Sequence, residues 1–288
     1  MLNIDDFIQY IYKEHNAKIY VDKEQIKWMN RLTEMIAREA VIIAQEKQRA
    51  IPIPDIYFVD NDKLGALESQ YEGKYYILLN NGNFIVHKEF LMRRIEKQGG
   101  KFNINYIEKL VDYTIMFVAM HEYLHIYCGH CLTEETEKLA QEAEADKEAT
   151  NYLIKRIIND FSAEEILDEL VACFVAIFYY FKHMDEQIEY NDNYNIKLAE
   201  NYYETKHRTH PLNSQRIMYI INCFNIILVD EKGNGIVSIK DAIIEVLFSL
   251  GEKKTDNIHN EILYGLCDDS IKKIEGWVDE IRIKIPRG

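Results

Sequence analysis

Proline and glycine are scarce in this chain, 4 and 12 among 288 residues. Long runs without either exclude a turn-rich all-β protein and favour helices. Five cysteines, an odd number without framework spacing, exclude a disulfide scaffold and suit a reducing compartment. Basic charge is short as well: 34 Lys and Arg face 48 Asp and Glu, for a net charge of −14. With no basic stripe, binding to nucleic acid or anionic lipid is disfavoured. Long apolar runs are also missing. The longest, Leu170 to Phe181, falls well short of the roughly twenty residues of a spanning helix and reads as a buried core helix. The opening MLNIDDF has acids where a signal peptide carries Lys or Arg, and no apolar stretch follows it. A cytoplasmic protein without stable membrane insertion is expected.

What is present is ample material for a core, with 48% apolar and 12% aromatic residues. The expected fold class is mainly α with a small β-sheet (α+β), in a single domain over 1–288. Within it, 1–50 is helical support, 51–220 the catalytic core and 221–288 a helical C-terminal region. Helical periodicity runs over Leu2–Tyr12 and Lys23–Arg49. The texture changes at IPIPDIYFVD, which opens a strand region. A second strand is expected over Lys74–Leu79, and a third over Phe84–Val86 after an Asn81–Gly82 turn. Further helices are expected over Ile107–Tyr127, from Thr133 to about Asn159, from a Ser162/Glu165 capping box through the apolar run, and over Leu212–Leu228, with two more between Gly235 and Ile285.

The chemistry lies in FVAMHEYLHIYCGH, where His121, Glu122 and His125 have the spacing HExxH. On a helix, residues four apart share a face, so both imidazoles can reach one metal ion. Glu122 sits about 100° round from His121, close enough to touch a water on that ion. This is the layout of a zinc hydrolase, in which the cofactor Zn²⁺ acidifies water and a carboxylate takes its proton.

A catalytic zinc needs a third protein ligand, and Glu142 is the best candidate. In EAEADKEA, Glu142, Ala145, Asp146 and Ala149 fall on one helix face, where two carboxylates interrupt a small or apolar stripe. If the two helices form an antiparallel hairpin about the Gly129–Thr133 link, residues whose numbers add to about 263 lie level, as His121 and Glu142 do. Asp146, one turn on, can accept from a zinc-bound His and fix its tautomer. Glu144 and Glu148 point away and are read as solvated.

HEYLH, EAEAD and THPLNSQRI together resemble the HExxH, ExxAD and HP…R motifs of the M48-type gluzincin metallopeptidases, and the first two are also similar to ImmA-type regulatory proteases. A short chain built on HExxH without membrane spans is further similar to the phage-exclusion Lit peptidases, which act on a host translation factor. The resemblance covers roughly residues 75–220. It implies a zincin-like core with additional C-terminal helices, and Glu142 as third ligand with Asp146 beside it. It also implies His210 as oxyanion support and Arg216 as an orienting residue. The link between second His and third ligand is shorter here than in the M48 pattern.

Independently of that resemblance, His210 precedes a proline, which holds it extended at the mouth of the following helix, where the dipole favours developing negative charge. Arg216, deeper in that helix, reads as a structural partner for a carboxylate. Tyr194, Tyr202 and Tyr203 can line a cleft or donate to an oxyanion, with nothing to choose among them. Phe178, Tyr179, Tyr180 and Phe181 read as core. Cys128, His130 and Cys131 form a cluster with too few donors for a metal site, and half-buried packing under the hairpin is its simpler reading.

The function expected is hydrolysis of peptide bonds in an intracellular protein, with the substrate bound extended along the sheet edge at Lys74–Leu79. The alternative is a non-catalytic helical interaction module with a structural or degenerate zinc site. A structural site wants a fourth protein ligand, and Cys128 or His130 would be about two turns from His121.

Overall fold

The computed structural model describes residues 4–15, 18–20, 22–48, 51–97, 99, 103–128, 138–191, 213–229, 235–250, 252 and 281–284. The chain opens with α1 (Ile4–His15), β1 (Ile19–Tyr20) and α2 (Lys23–Lys47). Asp22 caps α2 by accepting from the backbone N–H groups of Glu24 and Gln25 at 2.8 and 3.0 Å. The strands β2 (Asp55–Val59), β3 (Ala66–Tyr71) and β4 (Lys74–Asn80) follow, then α3 (Ile85–Lys97), α4 (Ile104–Cys128), α5 (Lys138–Asp160) and α6 (Ile166–Asn191). After them come α7 (Asn213–Cys223), β5 (Ile226–Val229), β6 (Gly235–Ser238), α8 (Ile239–Ser249) and β7 (Ile281–Lys284). The mainly α architecture with a small sheet is therefore as expected.

The first sheet has the order β1-β2-β4-β3, with β2 parallel to β4 and the other pairs antiparallel. Its two faces are packed differently. Tyr76, Leu78 and Val59 meet Phe7 and Ile11 of α1 on one side, whereas Ile56, Phe58, Ile77 and Leu79 join the main core on the other. Strand β4 is thus the buried centre of the sheet, which corrects the expectation that Lys74–Leu79 forms its edge. The edge is β3. It escapes periodicity because ALESQY offers few apolar residues, but Glu72 and Gly73 both have positive φ (48° and 77°), the turn that joins tightly paired strands.

Phe84–Val86 is not a strand. The Asn81–Asn83 segment closes a 3₁₀ turn, and Ile85 opens α3, whose buried His87, Phe90, Leu91 and Ile95 carry the helical period. Asn81–Gly82 is therefore not a hairpin turn. Gly82 is required for a different reason: a Cβ there would stand 2.3 Å from the Asp62 carbonyl oxygen.

Helices α4 and α6 are the centre of the molecule. Every residue from Leu170 to Phe181 is buried, as are all from Tyr113 to Ile126. Among the described residues no helix is long and apolar enough to cross a membrane. Ser162 donates its backbone N–H to Glu165 Oε2 at 3.0 Å ahead of α6, and its hydroxyl meets the same oxygen at 2.7 Å. This is the back-bonded half of the anticipated capping box.

The expected helix over Leu212–Leu228 ends early. Backbone bonds from Phe224 to Ile221 and from Asn225 to Asn222 tighten its last turn, and the chain continues as β5 between β6 and β7. A short apolar run such as IILV satisfies either period, so its pairing partners decide. Gly235–Ile285 likewise contains the strands β6 and β7 around α8, where two helices were expected; residues 253–280 of that stretch lie outside those described.

Behind α4, a polar pair is sealed in the core. His87 Nδ1 and His183 Nδ1 are 3.1 Å apart, Thr114 Oγ1 is 3.3 Å from His87 Nε2, and Phe90 stacks on His183 at 4.1 Å. Burial and the neighbouring His183 hold His87 well below the usual histidine range; burial and then Arg93 bring His183 down to about 4. Both rings are neutral in the fold and protonate near pH 6.5 when unfolded, so their contribution is whole above pH 6.5 and is lost as pH falls toward 4. Unfolding free energy is expected to fall across that window with a slope approaching about 1.4 kcal/mol per pH unit for each ring, and melting temperature to fall with it. A His183→Gln variant should show a flatter profile in thermal melts.

Candidate active site

Helix α4 carries HExxH near its C-terminal end, and α5 packs against it in the antiparallel sense inferred from the spacing. Ala145 and Ala149 are completely buried at that contact, which lets the two backbones approach closely. Glu144 and Glu148 are exposed, on the opposite face. Glu142 is thereby level with both histidines. His121 Nε2 is 3.4 Å from Glu142 Oε2, His125 Nε2 is 3.4 Å from Glu142 Oε1, and the two Nε2 atoms are 3.0 Å apart. A tetrahedral ion about 2.0–2.1 Å from each donor spaces its ligand atoms about 3.3 Å apart. All three separations are close to that value, so these side chains fit a metal ion. Among the described residues this is the one group of three such donors gathered within 4.8 Å.

Behind the donors stands a second layer. Asp146 Oδ1 is 3.0 Å from His121 Nδ1, in an oblique approach to the ring N–H. The same carboxylate takes two bonds from Arg216, Nε to Oδ2 at 2.6 Å and Nη2 to Oδ1 at 2.7 Å. Arg216 also lies 3.6 Å from Glu142 Oε2 and rests on the ring of Phe181 at 4.5 Å. Asp146 is 0% and Arg216 5% exposed, so each is the other's compensation. Arg216 is the structural partner that its position suggested.

The electrostatics follow from burial and pairing. Burial opposes a charge on His121, but Asp146 and Glu142 outweigh it and raise the imidazole to about 10 when no cation is bound. Burial would lift Asp146, yet Arg216 and then His121 hold it below the usual carboxylate range. Glu122, 8% exposed, is pushed well above the usual range, first by burial and then by Glu68 and Glu142, with His121 acting against them. The site therefore gathers two imidazoles and a carboxylate around one point and holds a proton-accepting carboxyl next to it.

These groups line an open cleft of about 470 Å³, with β3 on one wall and Tyr180, Met184 and Arg216 on another. Among the lining residues that were not anticipated, two have polar groups beside the chemistry. Glu68 comes from the unrecognised edge strand, far from the motif in the chain. Tyr180 is in the core, as its run suggested, but it also lines the cleft. His210, with Tyr194, Tyr202 and Tyr203, lies outside the described residues, as do His130 and Cys131; Cys128 is half-buried in the last turn of α4.

A family model for Peptidase U49 matches residues 92–233. That span takes in α4 to α7, and so His121, Glu122, His125, Glu142, Asp146 and Arg216, but not Glu68. The match supports a peptidase, a hydrolase of peptide bonds. No curated protein and no solved structure matches the chain.

Proposed function

We propose that this protein is a zinc-dependent endopeptidase. The observation that carries the reading is the His121–His125–Glu142 triangle, sized for a tetrahedral ion and opening onto a cleft beside Glu122. Zinc held there would supply a Lewis acid that polarises the scissile carbonyl and acidifies an attacking water. Glu122 takes the proton from that water and returns it to the leaving amine. Glu122 is buried at the cleft beside the triangle, within reach of a water held there. Asp146 fixes the orientation of His121, and Arg216 fixes Asp146. His210 supports the oxyanion. The cell compartment is the cytoplasm, and the partner is an extended polypeptide lying along β3, the edge strand that walls the cleft.

The direct test is metal content. About one zinc per chain is expected in the purified protein, and Glu142→Ala is expected to lose it, because two histidines alone leave the ion without a third protein ligand. Elemental analysis of both proteins decides the matter. Zinc absent from the wild type, or unchanged in Glu142→Ala, would overturn the ligand set and favour a non-catalytic interaction module.

A further inference from the structure

Glu68 is a carboxylate where the fold pattern calls for an apolar side chain. Across the β3–β4 pair it stands opposite Ile77, and Ala66 opposite Leu79, so Glu68 lies on the face of the sheet that joins the main core. Leu67 and Ser69 alternate to the other side. At the sheet edge that face opens into the cleft, where half-buried Glu68 lines the wall together with Glu122 and the metal-sized triangle.

Each of the other charged residues lining the cleft has a function in the proposed machinery. Glu142 belongs to the metal-sized triangle, Glu122 is the base, and Arg216 is held by Asp146. Glu68 stands outside the metal-sized triangle, and Arg216 is the one Lys or Arg among the described lining residues. A half-buried acidic group in the cleft wall, with no lysine or arginine but the already paired Arg216 lining the cleft, favours a substrate that brings a cation to it. A polypeptide added to β3 provides the place for one, since side chains opposite each other on neighbouring strands have Cβ atoms about 4.5–5.5 Å apart on the same face.

Resting on the peptidase reading above, we propose that Glu68 is a specificity-determining residue, selecting polypeptides with a lysine or arginine near the scissile bond. Glu68 lines the same cleft as Glu122, and with a strand rising about 3.4 Å per residue the recognised side chain belongs within a few residues of the bond cleaved. The preference is for charge, with arginine favoured over lysine where its two-pronged geometry meets the carboxylate.

The test uses zinc-loaded full-length protein and a library of chymotryptic peptides from a cell lysate, which retains Lys, Arg, Asp and Glu within the peptides. New ends are read by mass spectrometry for wild type, Glu68→Gln and Glu68→Lys, each first shown to melt cooperatively. Wild type is expected to enrich Lys and Arg at one position flanking the cut. In Glu68→Gln the preference for basic over neutral residues should fall about tenfold, and in Glu68→Lys it should invert toward Asp and Glu. An unchanged profile in both variants, or no basic preference in the wild type, overturns the assignment. If wild type cleaves nothing, the peptidase reading fails by itself. Peptides retained by immobilised Glu122→Gln and by Glu68→Gln/Glu122→Gln then decide: loss of basic peptides from the double variant supports recognition by Glu68, and equal retention overturns it.

Discussion

Glu122→Gln is expected to lower turnover by about 10²–10⁴-fold, the contribution of a positioned acid–base group, while keeping the zinc content of the wild type. The amide is nearly the same size as the carboxyl and fills the same buried space, so packing does not change. What it loses is the ability to accept a proton from water and pass it on. Stability should move in the opposite direction. Glu122 is 8% exposed and stands near Glu68 and Glu142, so burial and like charge both act against its ionised form; a neutral amide is free of both effects. Glu122→Gln should therefore melt at or above the wild-type temperature in calorimetry, as expected where a site is arranged for reaction rather than stability. Activity retained in Glu122→Gln would remove this residue from the mechanism. Zinc lost with it, or a lower melting temperature, would point to a structural role instead.

Arg216→Met is expected to destabilise the fold by about 3–5 kcal/mol, the usual result of stripping one partner from a buried ion pair. Two short bonds tie Arg216 to Asp146, and Asp146 has no exposure to water. Without the guanidinium, a charge remains sealed between α4, α5 and α7. For a chain of this size the melting temperature should drop by roughly 10 °C. Arg216→Lys should recover only part of this, because an ammonium cannot reproduce the paired geometry. The double variant Arg216→Met/Asp146→Leu separates the two duties of the pair. Stability should largely return once no charge is buried, but zinc should bind more weakly, since nothing then orients His121. Melts and zinc titrations of the three variants check both outcomes; full zinc affinity in the double variant would show that Asp146 orients nothing.

The part of the site carried on helices was legible in the sequence because helices have a fixed period. Once HExxH marked one face of α4, the Glu142/Asp146 stripe on α5 could be brought level by counting across a short link, and the 3.4 Å between His121 and Glu142 agrees with that count. The same reasoning failed on the strands. In β3, a polar edge strand with one core-facing carboxylate looks like any loop, and its proximity to Glu122 exists only in the folded sheet. For β5, four apolar residues at the end of a helical pattern were read as more helix, although Asn225 interrupts the run and the backbone turns there. Phe84–Val86 was misread for the reverse reason, since a short β-branched run is outweighed by the helix that follows it. Tyr180 shows a different limit: a residue can be core on one side and cleft on the other, and periodicity reports only the first.

Asp146 and Arg216 are seventy positions apart in the chain. The three metal donors therefore leave the ribosome well before the guanidinium that allows their helices to close around a buried carboxylate. Until α7 emerges and docks, the hairpin of α4 and α5 encloses an unmatched charge, and a finished cleft is disfavoured. On the proposed function, the cleft would in this way be completed only after Arg216 has been translated.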